Sequence, residues 1–309
     1  MTPDSAGAHD PDARVVGFVG LGAMGDPMSR SLADAGWKVL GYDVNAAAVA
    51  RHRDRGGHVV DDLADLPRAT RVVVTSLPTF DAVRAVVDSL GSAARDQARS
   101  LVIVETSTLA LRQKEALRDL AARYGCALLD CPVSGTSAQA ERGDLVAYLA
   151  ASEEEAVVLA TPVVQAMTRA VHDVGEFGNG TRMKLVANLL VAIHNMAAAE
   201  ALLLAQRAGL DLDQVLKSVG DGAGTSRMFE VRGPLMAAGS YDHATASVQV
   251  FQKDLLAIQE MAGDLHSPTP LLSATAVFYE MAAAQGRLQQ DTACVFAVLE
   301  QCLQPQNIN

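Results

Sequence analysis

Residues 15–25 read VVGFVGLGAMG, a short apolar run that leads directly into three glycines spaced Gly-x-Gly-x-x-Gly. The β-branched run is typical of a strand, and the glycines predict a sharp turn from that strand into a helix. Gly20 permits the turn, Gly22 lets the backbone approach a pyrophosphate, and Gly25 lets the helix pack closely on the strand. The pattern predicts a dinucleotide-binding turn, made by Gly20, Leu21, Gly22, Ala23, Met24 and Gly25.

A second apolar run lies at the distance that such a site requires. It covers residues 37–42 and ends at Asp43. An acidic residue about 20 positions beyond the glycines accepts hydrogen bonds from the adenosine ribose of a bound dinucleotide. The alternative, a glycine-rich turn in another α/β unit, leaves the coincidence of these parts unexplained.

The charge balance excludes one class of function. The chain has 309 residues, with 25 basic and 36 acidic side chains, which give a net charge of −11. Such an acidic chain offers no basic stripe to a nucleic-acid backbone, whereas local pockets can still attract small anions. We therefore expect a small-molecule ligand and no nucleic acid.

Cysteine spacing and the N-terminal segment indicate the compartment. The four cysteines show neither C-x-x-C nor zinc-ligand spacing, which is typical of free thiols in a reducing compartment. Residues 1–13 are polar and acidic, unlike a signal peptide, and are predicted as a disordered tail. No apolar run is predicted to reach the length of a membrane span, so we expect a cytoplasmic protein without membrane contact.

The chain is predicted to divide into two domains. In residues 14–175, apolar runs alternate with helical patterns, which predicts a parallel sheet of successive βα units. Helices are expected at 24–35, 80–90 and 109–124. Strands are expected at 15–19, 37–42, 71–76, 101–105, 126–130, 145–149 and 170–174. Residues 176–309 are predicted as an all-helical domain that opens with a long buried helix over 181–207, where proline and glycine are absent.

Lys184 is the first candidate for chemistry. A nicotinamide cofactor needs a partner that manages a proton when hydride moves. Lys184 and Asn188 stand four residues apart, on one face of the predicted long helix. Burial would lower the pKa of Lys184 and make it a general acid/base, while Asn188 could hold a substrate oxygen. The alternative is a core-helix lysine that extends its ammonium group to solvent.

A second candidate follows the strand that is predicted at 126–130. Ser134, with the amides of Gly135 and Thr136, could hold a carboxylate at the carboxyl end of the sheet. A plain turn is the alternative. Lys253 and Asp254 form a polar pair on an apolar helix, where they either serve a site or face solvent. The histidines show no metal-ligand spacing, and no metal is expected.

These motifs, in this order, resemble the β-hydroxyacid dehydrogenase family, which includes 3-hydroxyisobutyrate dehydrogenase, tartronate semialdehyde reductase, L-threonate dehydrogenase and, more distantly, 6-phosphogluconate dehydrogenase. The resemblance covers nearly the whole chain and implies a Rossmann-type domain joined by a long interdomain helix to an all-α domain. It rests on GFVGLGAMG at 17–25, SLPT at 76–79, TST at 106–108, DCPVSG at 130–135, the glycines, lysine and asparagine of 175–188, and KDL at 253–255.

The resemblance assigns roles to matching positions. It implies that Lys184 is the catalytic lysine and that the reaction takes place in the cleft between the domains. Substrate contacts are implied for Ser134, Gly135 and Asn188, and cofactor contacts for Leu77, Pro78, Thr108 and Lys253.

Three positions depart from the family pattern. Thr136 stands where a second glycine is usual, and this predicts a smaller, more polar pocket that prefers a polyhydroxy acid such as threonate or glycerate to 3-hydroxyisobutyrate. Ala187 replaces the first of two asparagines and leaves Asn188 alone. Family members that use NADP tend to carry Asn-Arg-Thr after the second strand, where this chain has Asp43. The Asp43 carboxylate would repel the 2′-phosphate of NADP, which favours NAD.

The resemblance thus implies an enzyme that reversibly oxidises a small 3-hydroxy carboxylic acid to its semialdehyde or keto acid. A decarboxylating sugar-phosphate dehydrogenase fits less well, because that branch has a long C-terminal extension. A catalytically silent NAD(P)-binding sensor or scaffold and an imine reductase-like enzyme are the other hypotheses. Both groups of relatives typically lack the lysine that this chain retains at Lys184. The apolar helical half predicts a homodimer or homotetramer.

Overall fold

The computed structural model describes residues 14–303, so the predicted disordered tail at 1–13 lies outside the described residues. The chain forms two compact units. The first unit ends at Thr181, and the second begins at Arg182. The short segment Leu109–Leu111 groups with the second unit. The predicted domain ranges 14–175 and 176–309 remain predictions.

The first unit is built on a six-stranded parallel sheet with the order β3-β2-β1-β4-β5-β6. β4 and β5 are buried along their whole length because helices cover the sheet. The strand order reverses between β1 and β4, which is where open α/β sheets bind ligands. The strands are β1 Val15–Val19, β2 Lys38–Tyr42, β3 His58–Val59, β4 Val72–Thr75, β5 Val102–Glu105 and β6 Ala127–Asp130.

The last two predicted strands belong to a separate sheet, so the prediction of one continuous parallel sheet is wrong there. This sheet has the order β7-β8-β9, and β7 runs antiparallel to β8. Pro132 follows β6 and has no N–H for a strand ladder, which explains why the large sheet ends there. The strands are β7 Val133–Ser134, β8 Val146–Leu149 and β9 Ala170–Asp173. Both β3 and β7 span two residues, too few to show periodicity in the sequence.

Among the residues that the structure describes, seven α-helices accompany these strands. The second of the three predicted helices continues past its expected end at residue 90, because Gly91 fits inside it where a Cβ would collide with the Tyr124 ring. The helices are α1 Gly25–Asp34, α2 Ala46–Asp54, α3 Leu66–Ala69, α4 Phe80–Asp96, α5 Leu111–Arg123, α6 Ser137–Ala140 and α7 Glu154–Met167.

The second unit is helical, and the fold class predicted from the sequence is confirmed. Its core contains Leu185, Leu202, Phe251 and Tyr279, which come from three different helices. The helices are α8 Asn179–Arg207, α9 Leu212–Gly220, α10 Arg227–Ala238, α11 Val248–Asp264, α12 Pro270–Ala284 and α13 Val295–Cys302.

Helix α8 is long and apolar enough to cross a membrane by length and composition alone, contrary to the sequence-based expectation. Its charged residues stand near its ends and at Glu200, which leaves residues 185–199 uncharged. The core helix of a soluble protein passes the same test, and 44% of the most apolar window is buried.

Candidate active site

The glycine turn has the backbone geometry that its sequence predicts. Gly20 adopts a φ of +96°, and a Cβ there would collide with the Ser76 carbonyl. A Cβ at Gly25 would collide with the Gly20 carbonyl, so the helix start packs tightly on the turn. At Gly22, in contrast, a Cβ would meet no described atom within 4 Å. The turn is therefore closed on the protein side and open where a pyrophosphate would approach.

Asp43 lies directly after β2 and is tied to the same turn. Its Oδ2 accepts the Leu21 N–H at 2.7 Å, and its Oδ1 accepts the Asn45 N–H at 2.7 Å. The backbone donors fix the orientation of the carboxylate beside the glycine turn. This is the position that an acceptor for ribose hydroxyls requires.

Leu77 and Pro78 follow β4, and Thr108 follows β5, the neighbouring strand. The two loops are joined because Ser107 Oγ accepts the Leu77 N–H at 2.9 Å. The carboxyl ends of parallel strands meet at one edge of a sheet. The fold therefore brings the predicted cofactor residues of the first unit to one edge, with the glycine turn after β1 and Asp43 after β2.

The segment predicted to hold the substrate carboxylate lies in β7 and the turn behind it. Ser134 ends β7 and is partly buried. Gly135 has a φ of +141°, and a Cβ there would collide with Leu145. The positive φ favours glycine at this turn, which directly follows Ser134.

Thr136 has a local partner that the sequence analysis missed. Its N–H donates to Gln139 Oε1 at 3.0 Å, and its hydroxyl accepts the Gln139 N–H at 3.3 Å. This reciprocal pair is a capping box at the start of α6. The Thr136 amide therefore has a partner within the chain, and its contact with a substrate carboxylate stays a prediction. The Thr-x-x-Gln spacing was the available signal.

Lys184, Asn188 and Asp254 form a buried polar cluster in the second unit. Lys184 is only 8% exposed, which argues against the alternative of a solvent-reaching lysine. Asn188 Nδ2 donates to Asp254 Oδ2 at 2.9 Å and so links α8 to α11. Sequence reasoning had left the role of Asp254 open.

The electrostatics of this cluster favour proton transfer. Burial lowers the pKa of Lys184 from its ordinary value, Asp254 opposes that shift, and Lys253 adds to it. Burial also raises the pKa of Asp254, against the opposing effects of Lys253, Lys184 and the Asn188 hydrogen bond. A lysine whose pKa is lowered by burial releases its proton more readily than an ordinary lysine, as a general base requires. The predicted cofactor contact of Lys253 stays a prediction.

A second buried lysine was missed altogether. Lys114 is fully buried and contacts Glu105 and Asp130, which are fully buried as well. In α5 the buried residues are Lys114, Leu117 and Ala121. A lysine on the apolar stripe of an amphipathic helix was the sequence signal that could have revealed it.

Two family profiles together match almost all of the described chain. Residues 15–175 match the profile described as the NAD binding domain of 6-phosphogluconate dehydrogenase. Residues 178–299 match the profile described as NAD-binding of NADP-dependent 3-hydroxyisobutyrate dehydrogenase.

Characterised relatives align over nearly their full length. L-threonate dehydrogenase of Cupriavidus necator is 32% identical over 93% of this chain and 96% of that protein. 3-Sulfolactaldehyde reductase of Escherichia coli is 31% identical over 93% of this chain and 95% of that protein. A crystal structure of 3-hydroxyisobutyrate dehydrogenase from Salmonella typhimurium is 29% identical, with a TM-score of 0.81, over 92% of this chain and 99% of that one. An imine reductase of Streptomyces aurantiacus, 18% identical with a TM-score of 0.62, shares the fold alone; the alignment covers 93% of this chain and 99% of that one.

Proposed function

The chain belongs to the β-hydroxyacid dehydrogenase family and is an NAD(P)-dependent oxidoreductase of small hydroxy acids; we propose that it oxidises a polyhydroxy 3-hydroxy acid with NAD, and that Lys184 is its general acid/base. The observation that carries this proposal is the burial of Lys184 beside Asn188 and Asp254, with its pKa lowered. A sensor or an imine reductase has no need for a buried lysine of this kind, so neither alternative is favoured.

Lys184 supplies the proton chemistry. A nicotinamide held by the glycine turn would supply the acceptor for the hydride that leaves the carbon carrying the substrate hydroxyl. Lys184 Nζ takes the hydroxyl proton as the hydride leaves, and burial, which lowers its pKa, favours the neutral amine that this step requires. In the reverse direction the protonated amine returns the proton to the carbonyl oxygen. A lysine with its ordinary pKa would stay charged at neutral pH and could not act as the base.

Asn188 orients the reacting oxygen. One N–H of its amide donates to Asp254, which fixes the rotation of the side chain. The second N–H then has a set direction and donates to the substrate oxygen. Such orientation supplies much of the rate because the reacting atoms stay aligned without a further entropic cost.

Ser134 and Gly135 bind the substrate carboxylate. A hydroxyl and an adjacent amide form charge-assisted hydrogen bonds with a carboxylate, and the Gly135 turn sets their spacing. Thr136 acts on this site through the capping box that fixes the turn. A direct contact between Thr136 and substrate stays a prediction.

The preference for a polyhydroxy acid is supported by the relative named for L-threonate at 32% identity. Asp43 supports NAD, because its carboxylate would repel the additional phosphate of NADP beside the glycine turn. The partner proposed beyond substrate and cofactor is a second copy of the chain. Four exposed apolar side chains on α8 support a homodimer or homotetramer: Met183, Val186, Leu190 and Leu204. The cytoplasmic location stays a prediction.

A substrate panel tests this function. The purified protein is assayed for NADH formation with L-threonate, D-glycerate and 3-hydroxyisobutyrate, each with NAD and with NADP. We expect the highest kcat/KM for a polyhydroxy acid with NAD. Turnover of none of the three would contradict the proposed function, and a preference for 3-hydroxyisobutyrate would contradict the substrate class. Light scattering that shows a monomer at micromolar concentration would contradict the assembly.

A further inference from the structure

Three fully buried charged side chains, Glu105, Lys114 and Asp130, meet at the carboxyl edge of the six-stranded sheet. Glu105 ends β5, Asp130 ends β6, and the two residues are paired in register. Lys114 Nζ contacts the Glu105 carboxylate, lies 3.2 Å from Asp130 Oδ1, and donates to the Glu105 carbonyl at 3.2 Å. Burying a charge destabilises a fold unless the charge has partners. The further hydrogen bonds of this cluster therefore show which segments it fixes in place.

The charge of Lys114 is fixed. Burial opposes it, but Glu105 and Asp130 together outweigh burial and raise the pKa of Lys114 above its ordinary value. One ammonium group then lies between two carboxylates, whose oxygens also accept hydrogen bonds from other groups. Those hydrogen bonds run along two branches.

The first branch reaches the predicted cofactor loops. Glu105 Oε1 accepts the Ser107 N–H at 2.9 Å. Ser107 Oγ in turn accepts the Leu77 N–H at 2.9 Å. Glu105 thereby fixes the loop after β5 and, through Ser107, the Leu77-Pro78 loop after β4.

The second branch reaches the start of α8. Asp130 Oδ2 accepts the Thr181 N–H at 2.7 Å, and Asp130 Oδ1 accepts the Thr181 hydroxyl at 2.8 Å. Thr181 is in the first turn of α8, where N–H groups have no partner within the helix. A carboxylate distant in the sequence therefore caps the helix that carries Lys184 three residues later.

We propose that Lys114 is a positioning residue, which fixes the cofactor loops through Glu105 and the first turn of the catalytic helix through Asp130. Without the ammonium group, the two adjacent carboxylates repel each other. Glu105 and Asp130 then no longer hold Ser107 and Thr181 in fixed positions. The catalytic half of this inference rests on the proposed function, whereas the cofactor half does not.

Two single variants separate the branches. Ser107→Ala removes the link to Leu77, and we expect the Kd for NADH to rise about tenfold while kcat at saturating cofactor stays within about twofold. Thr181→Val removes the hydroxyl bond to Asp130, and we expect kcat to fall about 10-fold to 100-fold while the Kd for NADH stays within about twofold. NADH fluorescence measures the Kd, and the hydroxy-acid assay measures kcat.

Thr70→Val is the matched control for Thr181→Val. Thr70 is a buried threonine of the same unit, and its hydroxyl bonds to the Val15 and Val72 carbonyls outside the network. Thr70→Val loses hydrogen bonds comparable to those lost in Thr181→Val, so we expect a lower Tm with kcat and the Kd for NADH unchanged. Equal kcat losses in Thr70→Val and Thr181→Val would show a general stability effect and overturn the catalytic branch.

Lys114→Met tests the origin of both branches. We expect it to raise the Kd for NADH and lower kcat together. In that background, Ser107→Ala and Thr181→Val should add little, because residues of one network are not additive. Full additivity, or a lower Tm with kcat and Kd unchanged, would overturn the proposal.

The NADH-binding and kcat measurements distinguish a failure of the Lys114 proposal from a failure of the proposed function. If Lys114→Met does not fold, the two single variants with the Thr70→Val control still decide. If the unmodified protein turns over no hydroxy acid, the proposed function fails, and the NADH measurements on Ser107→Ala and Lys114→Met decide the cofactor branch alone.

Discussion

Lys114 and Lys184 are both buried, yet their surroundings shift their pKa values in opposite directions. Lys114 contacts two carboxylates, which outweigh the effect of burial and keep it charged. For Lys184 burial is the largest effect, and the attraction of Asp254 is partly offset by Lys253. The number of carboxylates around each amine decides whether its charge is permanent or exchangeable.

The comparison separates a lysine with a structural role, Lys114, from one with a proposed role in proton transfer, Lys184. A lysine held between carboxylates releases its proton less readily than an ordinary lysine, whereas one whose pKa is lowered by burial releases it more readily. Strongly shifted groups mark functional sites, but structural ion pairs shift pKa values as well. The direction of the shift, together with the partners, distinguishes the two cases in this chain.

The largest effect is expected for Lys184→Met. The loss of the proton-transfer group should lower kcat by about 100-fold to 10,000-fold, which is the usual worth of general acid–base catalysis. The affinity for NADH should stay within a few-fold because the glycine turn is untouched. Lys217→Met on α9, where the lysine is exposed, is the control. A retained kcat in Lys184→Met would remove Lys184 from the mechanism.

Stability should respond in the opposite sense at the two lysines. Lys114→Met leaves two carboxylates buried together and should reduce the free energy of unfolding by about 3–5 kcal/mol at pH 7. Lys184→Met removes an amine that burial disfavours and should leave that free energy unchanged or raise it. Urea unfolding at pH 7 measures both, and equal losses would contradict the contrast.

The pH dependence of stability follows the sign of each shift. The folded-state pKa of Lys114 is raised, so its contribution is complete below its ordinary unfolded pKa and is lost as pH rises through the folded value. The folded-state pKa of Lys184 is lowered, so its cost to folding grows as pH falls through its unfolded pKa. Unfolding at a series of pH values checks both trends.

A smaller effect is expected at Asp254, which raises the pKa of Lys184. Asp254→Asn removes this charge, so the pKa of Lys184 should fall further and the acid limb of kcat for oxidation should move to lower pH. We also expect kcat to fall about tenfold, because Asn188 loses its charged acceptor. Asp264→Asn, at the exposed end of the same helix, is the control. An acid limb that moves to higher pH would contradict the assignment.

The smallest effect lies outside both clusters. Asp43→Ala should narrow the preference for NAD over NADP by about tenfold, or about 1.4 kcal/mol, because it removes the carboxylate that repels the 2′-phosphate. The stability and pH behaviour of both lysines should not change. Equal kcat/KM for the two cofactors in the unmodified protein would contradict the role of Asp43.

The sequence predicts the parts whose logic is local. The glycine turn and Asp43 lie within one βαβ unit, and the four-residue spacing of Lys184 and Asn188 places both on one helix face. At Thr136 the sequence carried the structural signal, but the prediction did not use it. The capping box that Thr136 forms with Gln139 is readable from the Thr-x-x-Gln spacing, but the Thr136 amide was instead predicted to hold a substrate carboxylate.

The remaining features depend on contacts between distant residues. Thr181 lies 51 residues from Asp130, and Asn188 lies 66 residues from Asp254. Periodicity places each of these residues on an element but does not pair the elements. For the same reason the second sheet was missed, since the proline that ends the first sheet becomes informative only once the strand order is known.

Lysine titration by NMR tests the contrast most directly. The chain has five lysines, Lys38, Lys114, Lys184, Lys217 and Lys253, so lysine labelled with ¹³C at Cε gives five signals that single substitutions can assign. We expect Lys184 to titrate below the ordinary lysine value of about 10.4, and Lys114 above it. If Lys184 titrates at or above that ordinary value, or Lys114 below it, the central claim that Lys184 is the exchangeable and Lys114 the permanent charge is contradicted.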